Sequence, residues 1–148
     1  DGTLADTVVM TPAAEGVALL PGEMGTLHGR LDVEHAGYMA ERLGAVSLDR
    51  FVEVITEAVT ESGCAMRDLR FLGITHMKRS FYQEILSAVG LTPEQSVYLE
   101  HYGHIQSVDQ ALALSLGLEQ GKINPGDLIV LAGAGTGYTW SASAIRWG

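Results

Sequence analysis

One cysteine, Cys64, is the only thiol in this chain of 148 residues, so an internal disulfide framework is excluded. Positive charge is scarce as well: nine Lys and Arg stand against eighteen Asp and Glu, a formal charge of −9. That balance excludes a surface that neutralises phosphates over a broad area, and nucleic acid with it. Nowhere does the sequence hold an apolar run of about 18 residues that would span a membrane, or a cationic leader with an apolar centre. These absences predict a soluble, cytoplasmic protein with no membrane partner.

What is present suffices for a core, since 47% of the residues are hydrophobic in a chain of ordinary one-domain length. The first residue is Asp1 rather than Met, and Ala5 to Met10 already reads as a strand before Thr11-Pro12. Part of the protein is therefore expected upstream, as for an expression fragment, a proteolytic fragment or one subunit of a split enzyme. Val17–Leu20 and Met24–His28 read as strand pieces around the turn at Pro21-Gly22. A weakly helical pattern over Val33–Leu43 ends at Gly44. Ser47 then caps a stronger helix in which Leu48, Phe51, Val52, Ile55, Ala58 and Val59 share one face and Gly63 marks the end.

Leu69–Thr75 is short and mostly apolar, which predicts a buried strand, and Phe81, Ile85, Leu86 and Val89 predict a helix stopped by Gly90. Thr92-Pro93-Glu94-Gln95 has the residues of an N-cap, a first-turn Pro and a capping-box partner, ahead of a short strand at Val97–Leu99. Small and apolar residues from Ile105 to Glu119 predict a helix buried against its neighbours. After a turn at Asn124–Asp127, Leu128–Ala132 reads as a core strand, Gly133–Gly137 as a glycine loop and Tyr138–Trp147 as an alternating strand. Alternating strands and helices that close on an antiparallel pair make an α/β domain.

His76 directly follows the predicted strand, at the C-terminal edge where α/β sheets place their sites. An imidazole there can exchange protons or donate to a developing oxyanion, and it can equally be a capped or exposed loop residue. His101 and His104 flank Tyr102-Gly103, a spacing that suits a loop aimed into a shared pocket, or one solvated and one packed histidine. No third ligand sits nearby at metal spacing, so no metal is expected. The Gly133–Gly137 run lacks the following helix that a phosphate cradle needs. It reads either as a loop whose N–H groups stabilise an oxyanion or as a plain hairpin turn. Cys64 precedes the strand that ends at His76, which separates the two by roughly 20 Å at about 3.3 Å per residue. It is expected to be a structural or partly exposed loop thiol and not the partner of His76.

Taken together, Thr75-His76-Met77-Lys78-Arg79, Tyr102-Gly103-His104-Ile105-Gln106-Ser107, Gly126-Asp127-Leu128, Gly135-Thr136-Gly137-Tyr138-Thr139-Trp140 and Ile145-Arg146-Trp147 resemble the C-terminal part of the ketoacyl-acyl-carrier-protein synthase III enzymes of the thiolase superfamily. In that family a strand ends in His-Gln-Ala-Asn. A Tyr-Gly-Asn-Thr-Ser loop, a buried helix, a Gly-Asp-Leu strand and a Gly-Gly-Gly-Phe-Thr-Trp loop follow in order. The resemblance is carried by residues 65–148, and before them Asp1-Gly2 and the apolar strand look like the start of the second thiolase repeat.

The resemblance implies that residues 1–148 are a C-terminal thiolase-like domain whose N-terminal half supplies a nucleophilic cysteine. It further implies a homodimer when complete, acyl thioesters of coenzyme A or an acyl carrier protein as substrates, and no further cofactor. His76 matches the catalytic histidine, His104 stands where the family has an asparagine that shares its task, and Gly137 matches the oxyanion-hole glycine. Met77 and Arg79 replace Gln and Asn near the pantetheine arm, and Ala134 replaces a bulky aromatic beside the acyl tunnel, which makes Arg79 and Ala134 candidate substrate-binding positions. The implied Cys-His-His site fits either a decarboxylative condensing enzyme or an acyltransferase, with these departures favouring acyl transfer or an unusual condensation. The alternative is a non-catalytic thiolase-like subunit that supports a catalytic chain.

Overall fold

The computed structural model describes residues 2–12 and 29–148. They fall into two units, Asp1–Ala45 with Thr136–Thr139, and Val46–Gly135 with Trp140–Gly148. The strand pieces expected at Val17–Leu20 and Met24–His28 lie outside the described residues, apart from which the α/β character is as the sequence predicts.

In the first unit, β1 (Val8–Pro12) pairs antiparallel with β2 (Gly29–Val33), Val8 opposite Val33 and Pro12 opposite Gly29. The strand starts later than the apolar run beginning at Ala5. Thr7 N donates to Leu4 O at 3.1 Å and Thr7 Oγ1 to the same oxygen at 2.8 Å, local bonds that hold the chain in a turn instead of a ladder.

A single helix, α1 (Ala36–Glu61), replaces the two helices expected on either side of Gly44. A glycine in a helix interior costs only about 1 kcal/mol, too little to break a helix of 26 residues whose later turns are pinned by packing. Ser47 is accordingly buried inside the helix and does not cap it. Phe51, Ile55 and Val59, each four residues after the last, are buried along one stripe.

The second unit is built on a mixed sheet in the order β3-β4-β5. β3 (Leu69–Ile74) runs parallel to β4 (Leu128–Gly135), and β5 (Thr139–Arg146) lies on the other side of β4. The connection between β4 and β5 is too short for a parallel crossover, so β5 returns antiparallel. Alternate residues serve the two faces of the sheet. Leu72, Ile74, Val130 and Ala132 join Phe51, Ile55, Ile85 and Leu86 in one core, so that this face packs on α1 and α2 (Arg79–Ala88). Phe71 and Ile129 join Ala113, Val97, Leu99 and Ile123 in the other, beneath α3 (Asp109–Glu119).

α3 packs against its neighbours through one buried stripe, Asp109, Ala113 and Gly117, and it begins at Asp109, later than the expected Ile105, after a 3-10 turn over Gln106–Val108. The stripe is made of small residues because β3 lies close beneath it. A Cβ at Gly117 would stand 2.7 Å from the Phe71 ring, and one at Gly73 would stand 2.7 Å from Leu131 Cδ2 and 3.4 Å from Gln110 O.

Two further expectations are corrected. Val97 and Leu99 are buried but Val97–Leu99 is not a strand; next to it stands an isolated parallel bridge between Leu72 and Ser96, whose hydroxyl donates to Leu72 O at 2.5 Å. Gly133, Ala134 and Gly135 belong to β4, which shortens the glycine loop to the residues between Gly135 and Thr139. Gly90, with φ of +77°, ends α2 as expected.

Candidate active site

β3 ends at Ile74, and the next two residues carry the chain past the C-terminal edge of the sheet. Thr75 stays attached: its N–H donates to Ala132 O at 3.1 Å, and its Oγ1 accepts from Gln110 Nε2 at 2.8 Å. The same Gln110 amide donates to Ala132 O at 3.1 Å, tying α3 to the ends of two strands. Room for that amide exists because residue 133 is glycine. A Cβ there would collide with Gln110 Nε2 and lie 2.9 Å from Thr75 Oγ1.

His76 N then donates to Asp109 Oδ2 at 2.7 Å. Asp109 opens α3, is fully buried, and accepts from two more donors: Ile105 N to Oδ1 at 2.8 Å, and His104 Nδ1 to Oδ2 at 2.5 Å. Burial pushes this carboxyl up. The bonds from the Ile105 and His76 amides and from the His104 imidazole outweigh that effect and hold it below the ordinary aspartate range. Its place at a helix N-terminus works in the same direction. One carboxylate oxygen thus holds both the backbone of His76 and the ring of His104, residues 28 apart in the sequence.

The His76 ring packs on Tyr98, with centroids 4.8 Å apart, and its Nδ1 is buried without a hydrogen-bond partner among the described residues. Tyr98 is a platform for several groups. Its hydroxyl donates to Met77 O at 2.9 Å, Tyr82 lies 5.0 Å away, and the Arg79 guanidinium carbon stands 4.3 Å over its ring. Arg79 also pairs with Glu100 at 2.8 Å, so its charge has a protein partner beside the histidine.

The site residues expected from sequence are therefore distributed unevenly. His76 and His104 meet at one carboxylate, Arg79 reaches the same neighbourhood through Tyr98, and His101 is exposed outside this network. Ala134 lies half-buried in β4, packed with Trp140 against the core under α1 and α2. Gly137 belongs to the first unit, where a φ of +124° makes glycine the suitable residue. Cys64 is half-buried ahead of β3, with Arg146 Nη2 3.1 Å from its sulfur. Among the described residues, no cluster of three His, Cys, Asp or Glu is placed to hold a metal ion. No helix among them is long and apolar enough to cross a membrane.

Sequence reasoning missed Asp109, Gln110 and Tyr98. Asp109 left a signal: stepping back by fours from Gly117 through Ala113 places an aspartate on the buried stripe of a helix, where a carboxylate needs donors.

Residues 59–147 match the family described as 3-oxoacyl-[acyl-carrier-protein (ACP)] synthase III C terminal. The beta-ketoacyl-[acyl-carrier-protein] synthase III of Thermosynechococcus vestitus is 29% identical over 132 residues, covering 85% of this chain and 40% of that protein. Synthase III 1 of Bacillus cereus is 27% identical and covers 99% of this chain and 49% of its own length. Among solved structures, the synthase III of Thermus thermophilus superposes with a TM-score of 0.77 at 22% identity, covering all of this chain and 44% of that one. The chain spans less than half the length of these relatives. Over that span it has the thiolase-like fold, and it belongs to the 3-oxoacyl-[acyl-carrier-protein] synthase III family, corresponding to its C-terminal half.

Proposed function

We propose that this chain is the histidine-bearing half of an acyl-thioester enzyme. A cysteine on the preceding half takes an acyl group from coenzyme A or a carrier protein, and His76 with His104 promotes its transfer to an acceptor, by condensation or by simple acyl transfer. The observation that carries this reading is the convergence of His76 and His104 on Asp109 at the C-terminal edge of the sheet. Two groups that must act on one carbonyl have to be fixed close together before the substrate arrives. Gly137, with its unusual backbone conformation, is the candidate for an oxyanion N–H. Arg79 and Ala134 are candidates for contact with the pantetheine arm and the acyl chain. Assembly as a homodimer is part of the proposal.

The test uses the full-length protein and a panel of acyl-coenzyme A thioesters, with covalent acylation followed by mass spectrometry. One acyl group should appear on a cysteine outside this chain, and Cys64 should stay unlabelled. Replacing His76 by Ala should lower transfer on the order of 100-fold or more. Turnover through Cys64 contradicts the reading, and absence of any acylation favours a non-catalytic subunit.

A further inference from the structure

The two imidazoles are wired differently, and the difference assigns them different work. Asp109 takes the Ile105 N–H on Oδ1 and the His76 N–H on Oδ2, and backbone amides can only donate, so both oxygens already act as acceptors. With two backbone N–H groups donating to it and its carboxyl held below the ordinary aspartate range, Asp109 is ionised, and the bond from His104 must be Nδ1–H to Oδ2. In the neutral ring the proton then sits on Nδ1, and Nε2 carries a lone pair. His104 keeps 46% of its side chain exposed.

His76 is arranged the opposite way. Its Nδ1 is buried with no partner among the described residues. A buried N–H without an acceptor costs about 1–3 kcal/mol and is rarer in proteins than an unsatisfied acceptor. The neutral ring therefore carries its proton on Nε2 and offers an N–H to a ligand.

We infer that Asp109 is a positioning residue that makes His104 Nε2 the proton acceptor of the site while His76 Nε2–H binds the oxyanion, and that the acceptor substrate is an alcohol or an amine. This rests on the function proposed above. The acceptor's oxygen or nitrogen attacks the carbonyl carbon of the acyl-cysteine thioester, and its proton passes to His104 Nε2. The carbonyl oxygen, now negative, takes the hydrogen bond from His76. Collapse breaks the carbon–sulfur bond, and the proton on His104 goes to the leaving thiolate, giving an ester or amide and a free thiol. A decarboxylating site would need His104 to donate to an enolate oxygen, and a bare Nε2 would instead face that oxygen lone pair to lone pair.

Water is the simplest hydroxyl acceptor and serves as the probe. The full-length protein is loaded with an acyl group from acyl-coenzyme A, excess donor is removed, and hydrolysis of the acyl-enzyme is followed in single turnover. Loaded to completion before the donor is removed, His104→Asn should hydrolyse its acyl group on the order of 100-fold more slowly than the parent. Asp109→Asn should slow hydrolysis in the same direction. NMR of isotopically labelled histidine should place the proton of neutral His104 on Nδ1 in the parent, a preference lost in Asp109→Asn. Failure of the parent to load overturns the proposed function itself. Undiminished hydrolysis of the loaded His104→Asn protein, a neutral His104 protonated on Nε2, or carbon dioxide released from a malonyl thioester in step with product overturns only the inference drawn here.

Discussion

The two ends of β3 hold their carboxylates in opposite ways. At the N-terminal end, carboxylates cap their own loops: Asp68 Oδ2 accepts from Ala65 N at 2.9 Å, and Asp127 Oδ2 accepts from Asn124 N at 2.8 Å at the neighbouring start of β4. Each reaches back three residues, and Asp68 keeps 46% of its side chain in solvent. At the C-terminal end, Asp109 is fully buried and reaches back 33 residues to His76. A local cap is inexpensive because its carboxylate keeps its hydration. A buried one is tolerated only where several donors meet it, and here two of the three donors belong to histidines in the proposed site.

The largest expected effect is the removal of the buried carboxylate. Asp109→Ala leaves three donors without their acceptor and should destabilise by about 3 kcal/mol or more in denaturant unfolding of the full-length protein. Asp68→Ala, which removes a local cap, should cost about 1 kcal/mol. The pH dependence sharpens the contrast. Because the Asp109 carboxyl is held below the ordinary range in the folded protein, the unfolded chain binds the extra proton first as pH falls. The stabilisation from Asp109 is present above the usual aspartate value of about 4 and is lost below it as pH falls through the folded value. Asp109→Asn should remove that acid-side slope.

A smaller effect is expected from Gly133→Ala. The new methyl group must displace the Gln110 amide from Thr75, next to His76, while leaving both cores intact. Overpacking of this kind costs about 1–3 kcal/mol, and a thermal melt reads it. The smallest effect belongs to the other end of the strand. Cys64→Ser should change stability by no more than about 0.5 kcal/mol and leave acyl transfer unchanged. A large loss of activity there would break the comparison between the two ends.

Much of this was legible in the sequence, and the rest was hidden for physical reasons. His76 could be placed because a short apolar strand has a definite end, and α2 because its apolar spacing meets Gly90. The single helix α1 was hidden because Gly44 and Ser47 look like punctuation, whereas packing of the Phe51, Ile55 and Val59 stripe overrides a weak local preference. Gly133 and Gly135 read as loop because their reason for being small, at least for Gly133, is a side chain from α3 that no local pattern announces. Asp109 was hidden for the same kind of reason. Its three partners lie at His76, His104 and Ile105, and only the fold brings the first of them near.

The central claim is that one buried carboxylate fixes both histidine segments, and backbone amide exchange on the full-length protein tests it most directly. Comparing the parent with Asp109→Ala under conditions where both are folded, the amides of His76 and Ile105 should lose protection together, while those of Ala65 and Asn124 at the opposite end stay as they were. Loss of protection at Ile105 alone, with His76 unchanged, would contradict the claim by reducing Asp109 to another local cap.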